Sequence, residues 1–260
     1  MNTIIYRKKS AFLFSSLLIS IVCFCQENYQ KGYIILNNGD TLHGYIDNRD
    51  WGSNPSQVAF KESLSADKMI FSPVNSKGFG VPDENYVSAI IETETSSIFT
   101  ADLENTPDLK ITVDTTFLKV LFSGDKSLYM FKGVADKEQF YIAKDSKYEL
   151  LVYKRYISQN QNSANFNSDV VAENKRYTGQ LMLYLNDCPS ITSKLNDVKY
   201  TRKSLESLFH YYYKSTGKKL DFKKEAEKIT LDAGLLAGMS IYPENDSKTE
   251  GGSTENIKSS

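Results

Sequence analysis

Two β-patterned stretches, one near the start of the chain and one near its end, frame its reading. The first is residues 32–46, GYIILNNGDTLHGYI, in which two β-rich runs flank Asn38-Gly39. Asn and Gly accept the positive φ of a tight turn, so the pattern predicts a β-hairpin. A three-residue loop with Gly39 left-handed places Ile34 opposite Leu42. It gathers Ile34, Leu36, Leu42 and Ile46 on one face and leaves Tyr33, Ile35, Thr41, His43 and Tyr45 on the other. A two-residue loop would put Ile35 opposite Leu42 and mix the faces. A one-residue slip exchanges the buried set for the exposed one, so the bulged register is the expected one. The second stretch is residues 229–241. Its odd positions are Ile229, Leu231, Ala233, Leu235, Ala237, Met239 and Ile241, and its even positions are mostly small or polar. Alternation of that length matches one strand of a transmembrane β-barrel. The rival is a small-residue helix, against which Gly234 and Gly238 weigh.

Between these stretches, short β-rich runs recur at residues 57–61, 68–71, 86–93 and 97–100. Others follow at 109–113, 116–123, 127–131, 138–143 and 149–157, mostly separated by turn signals. Such spacing predicts an antiparallel meander, a sandwich or a partly open barrel. Phe117, Leu121, Tyr129, Phe131, Tyr141, Leu151 and Tyr153 are its expected core or half-buried residues. Gly78-Phe79-Gly80 has the look of a phosphate loop, but Pro82 to Asn85 turns the chain where a helix would have to follow, so a bend is expected. Residues 158–168 are asparagine-rich with little to bury. The period then changes. Leu181, Tyr184, Leu185 and Cys188 recur at intervals of three and four, and residues 202–215 carry the stripe Leu205, Leu208, Phe209, Tyr212 between an N-cap Thr201 and a stop at Gly217.

The expected fold is therefore α+β and mainly β: an antiparallel meander, sandwich or partly open barrel, then a small helical segment and one barrel-like strand. In segments, 1–25 reads as a signal peptide, 26–157 as the antiparallel β domain and 158–175 as a polar linker. Residues 176–219 read as the helical segment, 229–242 as the barrel-like strand and 243–260 as a disordered tail.

The amino terminus adds location. Arg7, Lys8 and Lys9 precede an apolar run over residues 11–25 that ends in Cys23-Phe24-Cys25 before Gln26. This is a small-x-small leader pattern, shorter than the roughly 20 apolar residues of a bilayer span. An uncleaved anchor and a lipidated Cys23 or Cys25 are the alternatives; Val22 and Phe24 are bulky for the latter. Export to the periplasm, outer membrane or cell surface is expected. Removing the leader takes the 31 basic residues to 28 against 32 acidic ones, a net charge of −4. That leaves no basic excess for nucleic acid. It also leaves Cys188 alone, so no disulfide framework is expected. The 17 tyrosines and 14 phenylalanines suit sheets more than helical bundles.

The chemistry-bearing patterns are missing. There is no Gly-x-Ser-x-Gly, no His-Glu-x-x-His, and only His43 and His210 as histidines. Asp47 and Gly52 match two places of an EF-hand loop, but Arg49 and Trp51 stand where oxygen ligands belong. Cys188 paired with either histidine could in principle be a nucleophile; a buried structural thiol is the expected reading. No catalytic, cofactor or metal residue is assigned, and no enzyme is expected. The residues proposed for an interaction surface are Trp51, Tyr33, Tyr45, Tyr211, Tyr212 and Tyr213, aromatic groups able to take a glycan or lipid if they converge.

One resemblance joins these pieces. The leader, residues 32–46, Phe71-Ser72-Pro73 and Gly78-Phe79-Gly80 come first. Then follow residues 149–156 (ELLVYKRY), 185–189 (LNDCP) and 199–205 (KYTRKSL). This order resembles the N-terminal region of uncharacterised exported proteins of Gram-negative bacteria that end in a porin-like outer-membrane β-barrel. The resemblance implies location and architecture, with envelope proteins or the outer membrane as partners. A single barrel-like strand is too few, since small barrels need about eight, so a truncated member is the expected reading. The function expected is that of a non-enzymatic accessory domain in the cell envelope; the alternative is a soluble periplasmic or surface protein that binds a glycan or lipid.

Overall fold

The computed structural model describes residues 28–224, apart from residues 50, 134–135, 146 and 160–168. The leader, the alternating stretch at 229–242 and the tail lie outside the described residues. The described chain is mainly β, with an extended antiparallel sheet and three helices, and no strand pairing closes the sheet into a barrel among the described residues.

The sheet opens with the predicted hairpin. Strands β1 (Tyr29–Leu36) and β2 (Thr41–Asp47) pair with Ile34 opposite Leu42. Gly39 has φ +98°, and the Leu36 and Asp40 backbones close the three-residue loop through a 2.8 Å hydrogen bond. The aliphatic face then packs as expected. Ile34 and Ile46 are buried with Val58, Phe60, Phe79, Val81, Tyr86 and Phe117, and Leu36 and Leu42 pack beside them. We call this the hairpin core. It is completed by β3 (Val58–Lys61), β4 (Met69–Phe71), β5 (Ser76–Val81) and the start of β6 (Glu84–Glu94).

Gly78 to Gly80, expected to bend, lies within β5, paired to β1 on one side and β6 on the other. The reason is close approach. A Cβ on Gly80 would fall 2.4 Å from the Tyr33 ring. Glycine is what lets this ring lie across the strand. Runs 109–113 and 116–123, expected as separate strands, form one strand, β7 (Ile111–Gly124), because β6 pairs with it continuously from Ile111 to Lys119. Residues 97–100, expected as strand, instead lead into a short 3-10 turn at Thr100–Asp102.

Strand β7 is common to all three cores. Phe117 belongs to the hairpin core. Leu118 and Val120 face a second core with Ala89, Ile91, Tyr129, Tyr141 and Leu150. A bulge at Leu121, between the pairs Val120–Tyr129 and Phe122–Leu128, lets both Leu121 and Phe122 join the third. An extra residue in one strand re-aims the side chains that follow it. Strands β8 (Leu128–Lys132), β9 (Glu138–Lys144) and β10 (Lys147–Leu150) extend the meander. They curl it until β10 lies beside β6. The seam is joined partly by side chains from β9. Gln139 Oε1 accepts the Glu94 N–H at 2.7 Å, and the Tyr141 hydroxyl donates to the Glu92 carbonyl at 3.0 Å.

Run 149–157 also divides. After β10 the chain leaves the large sheet and forms β11 (Lys154–Gln159), which pairs with β12 (Asp169–Asn174) as a separate two-stranded sheet. Residues 169–174, placed by sequence in a polar linker, are strand because ladder hydrogen bonds, not burial, hold them. Helices α1 (Arg176–Tyr184), α2 (Ile191–Leu195) and α3 (Arg202–Thr216) follow. Thr201 Oγ1 caps α3 by accepting the Ser204 N–H, and Gly217 ends it at φ +62°. The stripe Leu205, Leu208, Phe209 and Tyr212 is buried with Tyr177, Leu181, Leu185 and Cys188 against Leu121, Phe122, Leu128, Met130, Phe140 and Ile142. Each such aliphatic or phenyl side chain contributes about 1.5–3 kcal/mol relative to exposure, so docking on the sheet, more than propensity, fixes these helices. The chain then returns as β13 (Leu220–Lys223) on the end of β7.

Candidate functional site

The six aromatic residues expected to form one surface divide between separate parts of the sheet and the helices. Trp51 meets Phe79 and Tyr86 edge-on, with centroids 5.4 and 5.7 Å away, and packs against the hairpin core. Tyr33 and Tyr45 lie on the other face of the hairpin. Tyr33 donates its hydroxyl to Asn85 Oδ1 at 2.9 Å, and its ring is 6.3 Å from the exposed His43. Tyr212 and Tyr213 are buried in the helix-side core. Tyr212 donates to Asp187 at 2.8 Å; Tyr213 donates to the Lys126 carbonyl and accepts the Lys126 N–H at 3.0 Å. Tyr211 is half-buried on α3 beneath the Lys194 ammonium, 5.1 Å from its ring centre. Tyr212 and Tyr213 are held by packing, and none of the six residues lines either of the two cavities described below. Cys188 is likewise buried in the helix-side core, with Sγ 3.5 Å from Ser190 Oγ. His210 is exposed on α3.

Other residues do converge, where β6 ends, β9 begins and β10 leads into β11. Glu94 closes β6 and is buried. One carboxylate oxygen accepts the Ser96 N–H at 3.1 Å and the Lys110 N–H at 3.3 Å; the other pairs with Lys137. Lys137 also donates to the Ser96 carbonyl at 2.9 Å. Glu104 continues the network, pairing with Lys110 and, at 2.8 Å, with the buried Lys154. Burial opposes ionisation of Glu94, yet the hydrogen bonds from Lys137 and Ser96 outweigh it and hold its carboxyl below the usual range. Hydrogen bonds from Lys110 and Lys154 hold Glu104 at about 2. Both carboxylates therefore stay charged through the neutral range, so these groups hold fixed charge and orient neighbours.

Beside this network lies a cavity of about 310 Å³. Tyr153 and Tyr200 form one wall, stacked at 4.7 Å with 17° between their planes. Tyr200 donates to the Leu151 carbonyl at 2.8 Å and accepts the Phe140 N–H at 3.2 Å; Tyr153 donates to Glu173 at 2.6 Å. Burial raises both phenols well above their ordinary value, for Tyr153 together with the hydrogen bond to Glu173. Gln139, Lys137 and Arg155 supply the polar wall. Arg155 is oriented by bonds to the Ile98 carbonyl at 3.2 Å and Thr100 Oγ1 at 3.4 Å. Sequence reasoning placed Tyr153 only in the sheet core and did not single out the others as site residues. No residue pattern singled them out; residues 149–156 and 199–205, apart in sequence, meet at this cavity through Tyr153 and Tyr200.

A second concavity of about 890 Å³ follows the seam, between Ser88 to Glu92 of β6 and Lys147 to Glu149 of β10. Its rim carries Ile90, 71% exposed, and Val113, 68% exposed. Strand β10 pairs with β9 alone, and β5 pairs with β6 only as far as Val87, so both strands leave backbone edge toward this groove. At its far end Gln180 of α1 covers the β10 edge, accepting the Val152 N–H and donating to the Leu150 carbonyl, both at 2.8 Å. Among the described residues no group of His, Cys, Asp and Glu could hold a metal ion, and no helix is long and apolar enough to cross a membrane. Compared with family models, with curated proteins and with solved structures, the chain matches none.

Proposed function

We propose that this protein is a non-enzymatic interaction domain of the cell envelope, of the kind joined in parent proteins to an outer-membrane β-barrel. The observation that carries this reading is the groove along the seam, where β10 lies beside β6 without pairing to it. Two strand edges, with exposed Ile90 and Val113 on the rim, flank a groove of about 890 Å³. Unpaired backbone edges are templates for an added strand. An extended segment of an envelope partner, alternating apolar and polar residues, lies along this groove against the part of β6 that β5 leaves unpaired beyond Val87, and sets its apolar side on Ile90 and Val113. The leader pattern and the alternation at 229–241 support the location.

Fractionation of cells expressing the untagged protein tests the location. Recovery in periplasmic or outer-membrane fractions, with an N-terminus near Gln26, is expected; recovery in the cytoplasm with Met1 intact overturns it. A photo-crosslinking residue at position 90 tests the seam. It is expected to link an envelope protein that the same residue at the exposed Leu64 does not. Equal labelling from both positions would remove the seam from the interaction.

A further inference from the structure

We propose that the cavity walled by Tyr153 and Tyr200 binds one pyranose ring of a neutral glycan. The inference goes beyond the envelope reading and does not depend on it. At about 310 Å³ the space is at the lower limit of ligand sites, which suits a single ring. Its two tyrosine hydroxyls are spent on Leu151, Phe140 and Glu173, and the rings stack on each other, so the pair offers the cavity only the aromatic surface outside that stack and no hydroxyl. Leu150, Leu151 and Val152 continue that apolar wall. The rest of the lining is polar and carries donors beside carboxylates. Gln139 is 5% exposed, and its Oε1 is committed to the Glu94 N–H, which fixes the amide and leaves its NH2 group with no partner among the described residues. Lys137 and Arg155 stand beside it.

One apolar face and one edge of hydrogen-bonding groups is the chemistry of a pyranose, whose C–H face and hydroxyl edge match the two walls. Charge selects among sugars. Lys137 and Arg155 are outnumbered by Glu94, Asp136 and Glu138 around the same cavity, so no positive excess draws a carboxylate or phosphate. An acyl chain is disfavoured too, because it would bury the Gln139 NH2 without an acceptor.

Saturation-transfer NMR on the purified protein tests this with the methyl glycosides of glucose, galactose and mannose, with glucuronate, and with a medium-chain fatty acid. Transfer to the ring C–H protons of at least one neutral glycoside at millimolar concentration is expected, with glucuronate about tenfold weaker, the equivalent of one lost hydrogen bond. Ile98→Trp fills the mouth from a rim position that is 39% exposed and abolishes the transfer. Gln139→Glu keeps the acceptor for the Glu94 N–H but replaces the donor, and weakens binding about tenfold. No transfer to any neutral glycoside, transfer that survives Ile98→Trp, or stronger binding of glucuronate or the fatty acid would each overturn the proposal.

Discussion

Replacing Glu84 by Gln should remove one of the strongest electrostatic supports of this fold. Glu84 opens β6 and receives Lys119 at 2.8 Å and Lys224 on one carboxylate oxygen; the Tyr86 hydroxyl donates to the other at 2.6 Å. Lys119 and Lys224 are 7% and 5% exposed, so one carboxylate serves two ammonium groups that have left water. Burial opposes ionisation of Glu84, but the hydrogen bonds from Lys119, Lys224 and Tyr86 outweigh it and hold its carboxyl at about 2 against an ordinary 4.5. A depression of that size corresponds to about 3 kcal/mol of stability at neutral pH, reduced to about 2 kcal/mol by the solvent that still reaches the carboxylate. The partner's side is unfavourable. Burial lowers the Lys119 pKa even with Glu84 beside it, so the ammonium carries a net penalty that only the carboxylate limits. Glu84→Gln leaves the Lys119 ammonium buried without its counter-charge and takes one partner from Lys224, a change that costs about 3–5 kcal/mol when a buried pair is broken. We expect a loss of about 3 kcal/mol in urea unfolding followed by circular dichroism and by Trp51 fluorescence. Glu84→Gln/Lys119→Met should recover part of that loss. The pH dependence has a definite sign. A carboxyl whose folded pKa is depressed contributes fully above its unfolded value, so the gap between wild type and Glu84→Gln should hold above about pH 4.5 and close toward pH 2. A loss below about 1 kcal/mol, or a gap that does not change across that window, would refute the reasoning, because such values belong to a solvated surface pair.

Three further outcomes follow from single contacts. Gly80→Ala sets a methyl 2.4 Å from the Tyr33 ring and 2.6 Å from Asn85 Oδ1, and should cost about 1–3 kcal/mol; Gly52→Ala, with nothing within 4 Å, is the control whose urea midpoint should barely move. Gln180→Ala uncovers the β10 edge and should release the Val152 amide to hydrogen exchange, with a loss of about 1–3 kcal/mol; unchanged protection would mean that solvent replaces the side chain without penalty. Tyr213→Phe withdraws the hydroxyl that holds both backbone groups of Lys126, and should cost about 1–2 kcal/mol and speed exchange of the Lys126 amide.

What the sequence disclosed was what neighbours along the chain decide. The hairpin register followed from four aliphatic residues that had to share a face, and α3 from a capping threonine, a stripe and a terminal glycine. Where two distant segments decide, local chemistry misled. Gly80 read as a bend because nothing nearby shows that the Tyr33 ring will lie across it. Asp114 and Thr115 read as a break between strands, yet β7 runs through them, paired along its length to β6 where both residues are exposed. Residues 169–174 read as linker because their polarity is real; what makes them a strand is β11, which sequence alone does not bring beside them. The cavity is the extreme case. Gln139 is positioned by Glu94, 45 residues away, and Tyr200 by Leu151 and Phe140, 49 and 60 residues away. Its defining feature is negative as well: hydroxyls that already have partners, and an amide that has only half of its own. Neither is written in residue type or spacing. A tyrosine with a free hydroxyl and a tyrosine used as bare aromatic surface are the same letter, and the aromatic residues singled out from the sequence were chosen without that distinction. Ring burial, not hydroxyl bonding, separates the packing tyrosines from those on the cavity wall. Tyr212 and Tyr213 have their rings buried with their hydroxyls bonded, whereas Tyr153 and Tyr200 have bonded hydroxyls and are left half-buried on a cavity wall.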